Sequence, residues 1–280
     1  MSDGCYINES VKIRGSHMDK TTIIGLFLGV IAVGVGMVMK GVPITALGNP
    51  AAILIIFVGT AASICIAFPM STVKNIPTLF KIIFSKDQNP EKKELIQLFT
   101  KLAEQTRKEG LLSMETQMKE FEDPFLNTGL QFAIDGQTPD FIKEVLIEKI
   151  EAMESRHQEG ISVFSQAGTY APTLGVLGAV IGLIAALGNM QDMDVLGHAI
   201  SAAFIATLFG IFSGYVLWHP FANKLREKSK KEVEIKEIMI EGILSISTGD
   251  SAIVVRDKLG SYLSTKELVQ LKEEQANEQA

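Results

Sequence analysis

Four stretches of this 280-residue chain are apolar for long enough to cross a bilayer, and no other feature limits the fold as strongly. Thr21 to Met39 is a run of about 19 residues without a charge, enough for a helix to span roughly 30 Å of hydrocarbon. Ala51 to Phe68 is a second run, Ile161 to Leu187 a third and Val195 to Trp218 a fourth. One such run could be a buried helix of a soluble protein. Four of them, in a chain of mean hydropathy +0.24, point to an all-α integral membrane protein.

Lysine and arginine are distributed unevenly about these runs. Between spans 2 and 3 lie Lys74, Lys81, Lys86, Lys92, Lys93, Lys101, Arg107, Lys108, Lys119, Lys143, Lys149 and Arg156. More follow span 4, starting with Lys224, Arg226, Lys228, Lys230 and Lys231. The loop between spans 1 and 2 has only Lys40, and the loop between spans 3 and 4 has Asp192 and Asp194 but no base. The positive-inside rule therefore predicts an inner-membrane protein with both termini and the large central loop in the cytoplasm. Trp218, Tyr170 and Tyr215 fall where interfacial anchors are expected, although Tyr170 also suits a position facing protein.

The boundaries read as follows. Residues 1–17 are polar and aperiodic, and are set aside as a leader, a tag or a disordered tail; Gly15-Ser16-His17-Met18 matches a cloning scar, and Met18 is the expected start. Residues 18–68 hold spans 1 and 2, 69–160 a cytoplasmic helical domain, and 161–218 spans 3 and 4. Residues 219–265 form a cytoplasmic helical extension and 266–280 a polar tail. In the central domain Leu95, Leu98, Phe99 and Leu102 recur at helical spacing. Asp135-Gly136 is a turn, and Thr138 caps a helix whose first residue is Pro139. Phe141, Ile142, Val145, Leu146 and Ile150 give that helix an apolar face as it runs towards span 3.

Several function classes find no support. The net charge is −6 and no basic stripe with interleaved aromatics occurs, which argues against nucleic acid. Cys5 and Cys65 provide no disulfide framework, and the four histidines are too scattered for a metal cluster. HExxH, GxSxG and GxxxxGK[ST] are absent, so neither enzyme chemistry nor an organic cofactor is expected.

Within the membrane the notable residues are small. Span 3 carries Gly175, Gly178 and Gly182, span 4 the GxxxG pair Gly210 and Gly214, and span 1 the pair Gly25 and Gly29. Such residues let helix backbones approach closely, although GxxxG pairs are also frequent by chance. Spans 2 and 3 contain no Asp, Glu, Lys, Arg or His, and span 4 has only His198, near its outer end. A charge at mid-membrane costs about 2.5–3.5 kcal/mol on insertion scales and persists where function needs it. If this chain takes part in proton conduction, a partner helix must bring the carboxylate. Thr169, Tyr170, Thr173, Ser201, Thr207 and Ser213 can order water but cannot store a proton.

Tyr170-Ala-Pro-Thr-Leu-Gly-Val-Leu-Gly-Ala-Val-Ile-Gly182 resembles the third-span signature of the MotA family. Leu217-Trp-His-Pro-Phe-Ala-Asn-Lys-Leu225 resembles the end of its fourth span, and Asn49-Pro-Ala-Ala-Ile-Leu-Ile-Ile56 with Phe68-Pro69 its second. Arg107-Lys-Glu-Gly-Leu-Leu-Ser-Met-Glu115 is similar to its cytoplasmic segment. The likeness runs from Met18 to about residue 265 and is strongest to Bacillus-like members. It implies a flagellar stator subunit, five copies of which surround two copies of MotB. That partner would supply the proton-binding Asp and a peptidoglycan anchor. The resemblance gives Pro172 and Pro220 a role in coupling ion passage to movement, and places Thr207 on the ion path. It assigns Arg107 and Glu115 to contact with the rotor protein FliG. Read without it, the prolines mark span ends and the two charges are a solvated helix face. Ala179 stands where sodium-driven relatives carry a threonine, so H+ is the expected coupling ion. Two rival readings are an ExbB/TolQ-type energiser, against which the long 69–160 insert counts, and a partner-independent transporter, for which inverted repeats would be expected.

Overall fold

The computed structural model describes residues 19–270 apart from Gln88, Lys119, Glu120, Glu122 and Asn189; the leader and the last ten residues of the polar tail lie outside it. Along the described residues run helices α1 (Lys20–Met39), α2 (Pro50–Ala67), α3 (Met70–Lys74), α4 (Ile76–Phe84), α5 (Lys92–Glu109), α6 (Glu115–Met118), α7 (Pro124–Ile134), α8 (Pro139–Leu187), α9 (Met193–Ser247) and α10 (Ala252–Gly260). The four apolar runs fall in α1, α2, α8 and α9, each long and apolar enough to cross a membrane. The chain divides into two compact units, 1–87 with 158–226 and 88–157 with 227–280.

The first unit contains the spans. Asp19 caps α1, accepting hydrogen bonds from the Thr21 amide at 3.0 Å and the Thr21 hydroxyl at 2.6 Å. It is also ion-paired with Lys224, while its own amide donates to the Phe84 carbonyl at 2.8 Å. Asn49 caps α2 through the Ala52 amide, with Pro50 as first residue, where a missing N–H costs nothing. Span 2 stops at Phe68, which is extended ahead of Pro69. Helix α4 then lays Ile76, Leu79, Phe80 and Ile83 on Ile161, Phe164, Phe221 and Leu225. Trp218, half-buried, joins Phe80, Phe164 and Phe221 in an aromatic cluster with centroid separations of 5.1–6.4 Å. Phe80 and Phe164 reach the indole from distant parts of the chain, and Phe221 from the next turn of the same helix.

Two segments leave the α-helical register. Leu54–Val58 in α2 and Ser213–Trp218 in α9 are π-helical, with i→i+5 hydrogen bonding. The second immediately precedes Pro220, whose ring would crowd the Val216 carbonyl in a regular helix.

The second unit is built around a helical core. Leu95, Ile96, Phe99, Leu102, Met114, Leu130, Ile142, Leu146, Ile238, Met239 and Ile243 are all buried together. Thr138 caps α8 at the Phe141 amide, 3.3 Å away. Lys92 pairs with Glu234 and donates to the Tyr262 carbonyl at 3.1 Å, tying α5 to α9 and to the turn after α10.

Candidate functional site

In the first unit the chemistry-bearing residues of spans 3 and 4 meet along one antiparallel seam made mostly of backbone. A Cβ on Gly175 would come within 3.0 Å of the Ala206 carbonyl oxygen and of Gly210 Cα. One on Gly210 would meet the Ala171 oxygen and Gly175 Cα at 2.8 Å. Gly178 lies on Ala206, and Gly182 on Ala203 and the Ala199 carbonyl. The five glycines singled out in these spans are therefore all contact residues. In span 1, Gly29 abuts Val216 while Gly25 has nothing within 4 Å.

Pro172 interrupts this seam from inside α8. Its ring nitrogen cannot donate, so the Gly168 carbonyl loses the intrahelical partner it would have had. That oxygen faces Gly214: a Cβ there would lie 2.9 Å from it, 2.6 Å from Pro172 Cγ and 2.9 Å from Pro172 Cδ. A Cα–H contact from Gly214 is the available substitute for the lost N–H. The His219 ring covers Gly168 on its other side, where a Cβ would meet three ring atoms at 2.8 Å, and it lies 5.4 Å from the Tyr215 ring. Pro172, Gly168, Gly214 and His219 thus form one cluster, beside the π-helical turn that ends before Pro220. His219 and that turn were not among the residues picked out from the sequence.

Four hydroxyls of spans 3 and 4 are turned back on their own helices. Thr207 donates to the Ala203 carbonyl at 3.3 Å, Thr173 to Thr169 at 3.2 Å, Thr169 to Ser165 at 3.2 Å and Ser213 to Phe209 at 2.7 Å. Thr207 and Ala179 are both half-buried, each one residue beyond the Gly178–Ala206 contact. The Gly175–Gly210, Gly178–Ala206 and Gly182–Ala203 contacts involve no ionisable side chain, and among the described residues no group of His, Cys, Asp and Glu could hold a metal ion.

Arg107 and Glu115 lie in the second unit. Helix α5 ends at Gly110, whose φ of +84° only glycine adopts readily, and Leu111–Met114 forms a 3-10 turn leading into α6. Met114, fully buried, fastens this turn to the core. Arg107 in the last turn of α5 and Glu115 at the start of α6 are both exposed, flank the 71% exposed Leu112, and form no ion pair with a described residue. The fold holds two opposite charges and an apolar side chain at a fixed reversal of the chain.

The chain resembles known proteins along most of its length. Residues 117–238 match the model of the MotA/TolQ/ExbB proton channel family, and residues 23–110 match the Motility protein A N-terminal model. The chain is 54% identical to Motility protein A of Bacillus subtilis over 257 residues, 92% of this chain and 95% of that protein. The flagellar MotAB stator complex from B. subtilis contains a chain that superposes with a TM-score of 0.86 at 55% identity, covering 90% of this chain and 99% of that one. C. jejuni MotAB gives a TM-score of 0.84 at 29% identity, over 89% and 97%.

Proposed function

Since the chain belongs to the MotA/TolQ/ExbB proton channel family, we infer from that membership that it is a stator subunit of the flagellar motor, embedded in the membrane and assembled with MotB. The match to the Motility protein A N-terminal model favours this role over that of an ExbB/TolQ energiser.

We propose the following working cycle. Protons pass along the face of spans 3 and 4 and neutralise a carboxylate carried by a MotB helix. The observation that carries this reading is the composition of the two spans: residues 161–187 and 195–218 hold no Asp, Glu, Lys or Arg, so the carboxylate has to come from another chain. The change of charge on the partner alters the packing at Pro172 and Pro220, where the helical hydrogen-bond ladder is already broken or widened. Five copies turn around a MotB dimer fixed to the cell wall, with both termini of this chain in the cytoplasm. Arg107 and Glu115 meet complementary charges on the rotor protein FliG. Exposed ion pairs are worth about 0–1 kcal/mol, weak enough to form and release at each step. One charge crossing 100 mV releases about 2.3 kcal/mol, sufficient for several such contacts.

H+ is the coupling ion in this reading, because Ala179 offers Na⁺ no oxygen ligand. Cells relying on this stator should lose swimming speed in proportion to a protonophore and ignore external sodium. Speed that followed sodium and survived loss of the proton gradient would overturn it.

A further inference from the structure

Basic side chains in the first unit gather at one end of the spans without partners. Lys20 opens α1, Lys74 closes α3, Lys81 projects from α4 and Lys86 follows it; all four are exposed and none forms an ion pair with a described residue. The bond from the Asp19 amide to the Phe84 carbonyl, 2.8 Å, brings the start of α1 to the end of α4 and so gathers Lys20 with Lys86. The acids beside them are Asp19, occupied by Lys224, and Asp87, next to Lys86. Helix α4 turns its apolar side onto protein, leaving Lys81 and Thr78 outward, in line with Lys74 at helical spacing. Immediately before this basic stripe come Ile66 and Met70, 88% and 64% exposed, at the end of span 2. An apolar band passing into unpaired lysines suits the boundary between acyl chains and headgroups.

We propose that Lys20, Lys74, Lys81 and Lys86 form a docking surface for anionic phospholipid headgroups at the cytoplasmic membrane boundary, so that α3 and α4 act as a lipid-held brace for spans 3 and 4. The assignment of this boundary to the cytoplasm rests on the orientation proposed above, but contact with lipid does not depend on it. Each lysine near an anionic surface adds to the attraction, so four acting together give a preference that is readily measured.

The test uses the purified complex with its MotB partner in nanodiscs of equal phosphatidylglycerol and phosphatidylcholine, with the lipids retained after detergent extraction counted by native mass spectrometry. Phosphatidylglycerol should be retained several-fold over phosphatidylcholine. The variant K20Q/K74Q/K81Q/K86Q should lose that preference, the matching arginine variant should keep it, and Lys101→Gln, in the other unit, should leave it unchanged. Equal retention of the two lipids by the unaltered complex overturns the proposal, as does an unchanged preference in the glutamine variant. Displacement of the lipid by millimolar inorganic phosphate would assign the site to free phosphate. Protection of these lysines from an amine reagent in lipid-free complex would assign the face to a neighbouring copy. Either result also overturns it. Proton conduction measured on the same discs reports separately on the stator function.

Discussion

Gly214 lies against the ring of Pro172, and a Cβ at Gly214 would come within 2.6 Å of Pro172 Cγ. The two residues account for each other. Proline leaves the Gly168 carbonyl without an N–H donor, and only a residue lacking a side chain can approach that oxygen. Gly214→Ala should therefore force spans 3 and 4 apart, at an overpacking cost of about 1–3 kcal/mol. The expected outcome is a lowered melting temperature of the purified complex and a loss of swimming. Gly25→Ala, in open space on span 1, is the control and should leave both unchanged.

Arg107 and Glu115 stand exposed at either end of a turn fixed by Met114. Reversing either charge should leave expression, assembly and stability within about 0.5 kcal/mol of the original, as for other surface substitutions. Torque should nevertheless fall sharply, and more than additively when both are reversed. Bead assays on tethered motors, with complex yield measured alongside, separate the two effects. A fall in yield matching the fall in torque would make the pair structural.

The Lys224 ammonium, together with the Thr21 hydroxyl and amide, holds the Asp19 carboxyl well below its usual value of 3.8. A carboxyl lowered in the fold binds its proton more readily when unfolded. The stabilisation is therefore complete above the usual value and disappears as pH falls through the lowered one. Thermal melts of the unaltered complex should lose stability on acidification below about pH 4 more steeply than those of Asp19→Asn. At neutral pH the variant should already be the less stable protein.

His157 is shifted in the same direction by a different cause. Burial first, with Arg156 and Lys236 adding to it, lowers its pKa below 6.5, against the opposing pull of Glu232 and Glu154. Its Nδ1 is 2.9 Å from the Ser229 hydroxyl and its Nε2 is 4.0 Å from a Glu232 oxygen, so the ring joins α8 to α9. Because the folded state holds the proton less tightly than the unfolded state, stability must fall as pH drops below the usual histidine value. Hydrogen exchange in the second unit should quicken between pH 7 and pH 5, and His157→Gln should remove most of that dependence.

The spans were legible because lipid imposes a length and a composition that local sequence must satisfy. The start of α8 was legible because capping chemistry is local to Thr138 and Pro139. The seam glycines were visible as small residues at helical spacing, although span 1 shows that spacing alone misleads, since Gly29 is packed and Gly25 is not. Features that depend on residues distant in sequence stayed hidden. Trp218 sits in a cluster completed by Phe80 and Phe164, and Asp19 meets Lys224 across nearly the whole chain. The π-helical turns were hidden for another reason: Ser213–Trp218 has an ordinary helical composition, and its widening follows from Pro220 together with the packing around it.

Backbone lying on backbone has a mechanical consequence. Most of the boundary between spans 3 and 4 has no side chain that must be lifted over another, so a small displacement breaks no interlock and meets little friction. The ring of Pro172, seated against Gly214, and the ring of His219, over Gly168, are pegs close together on that smooth track. Two rods that slide freely except where pegs engage at one place will tilt about that place, so the pair is built as a lever with a fixed fulcrum.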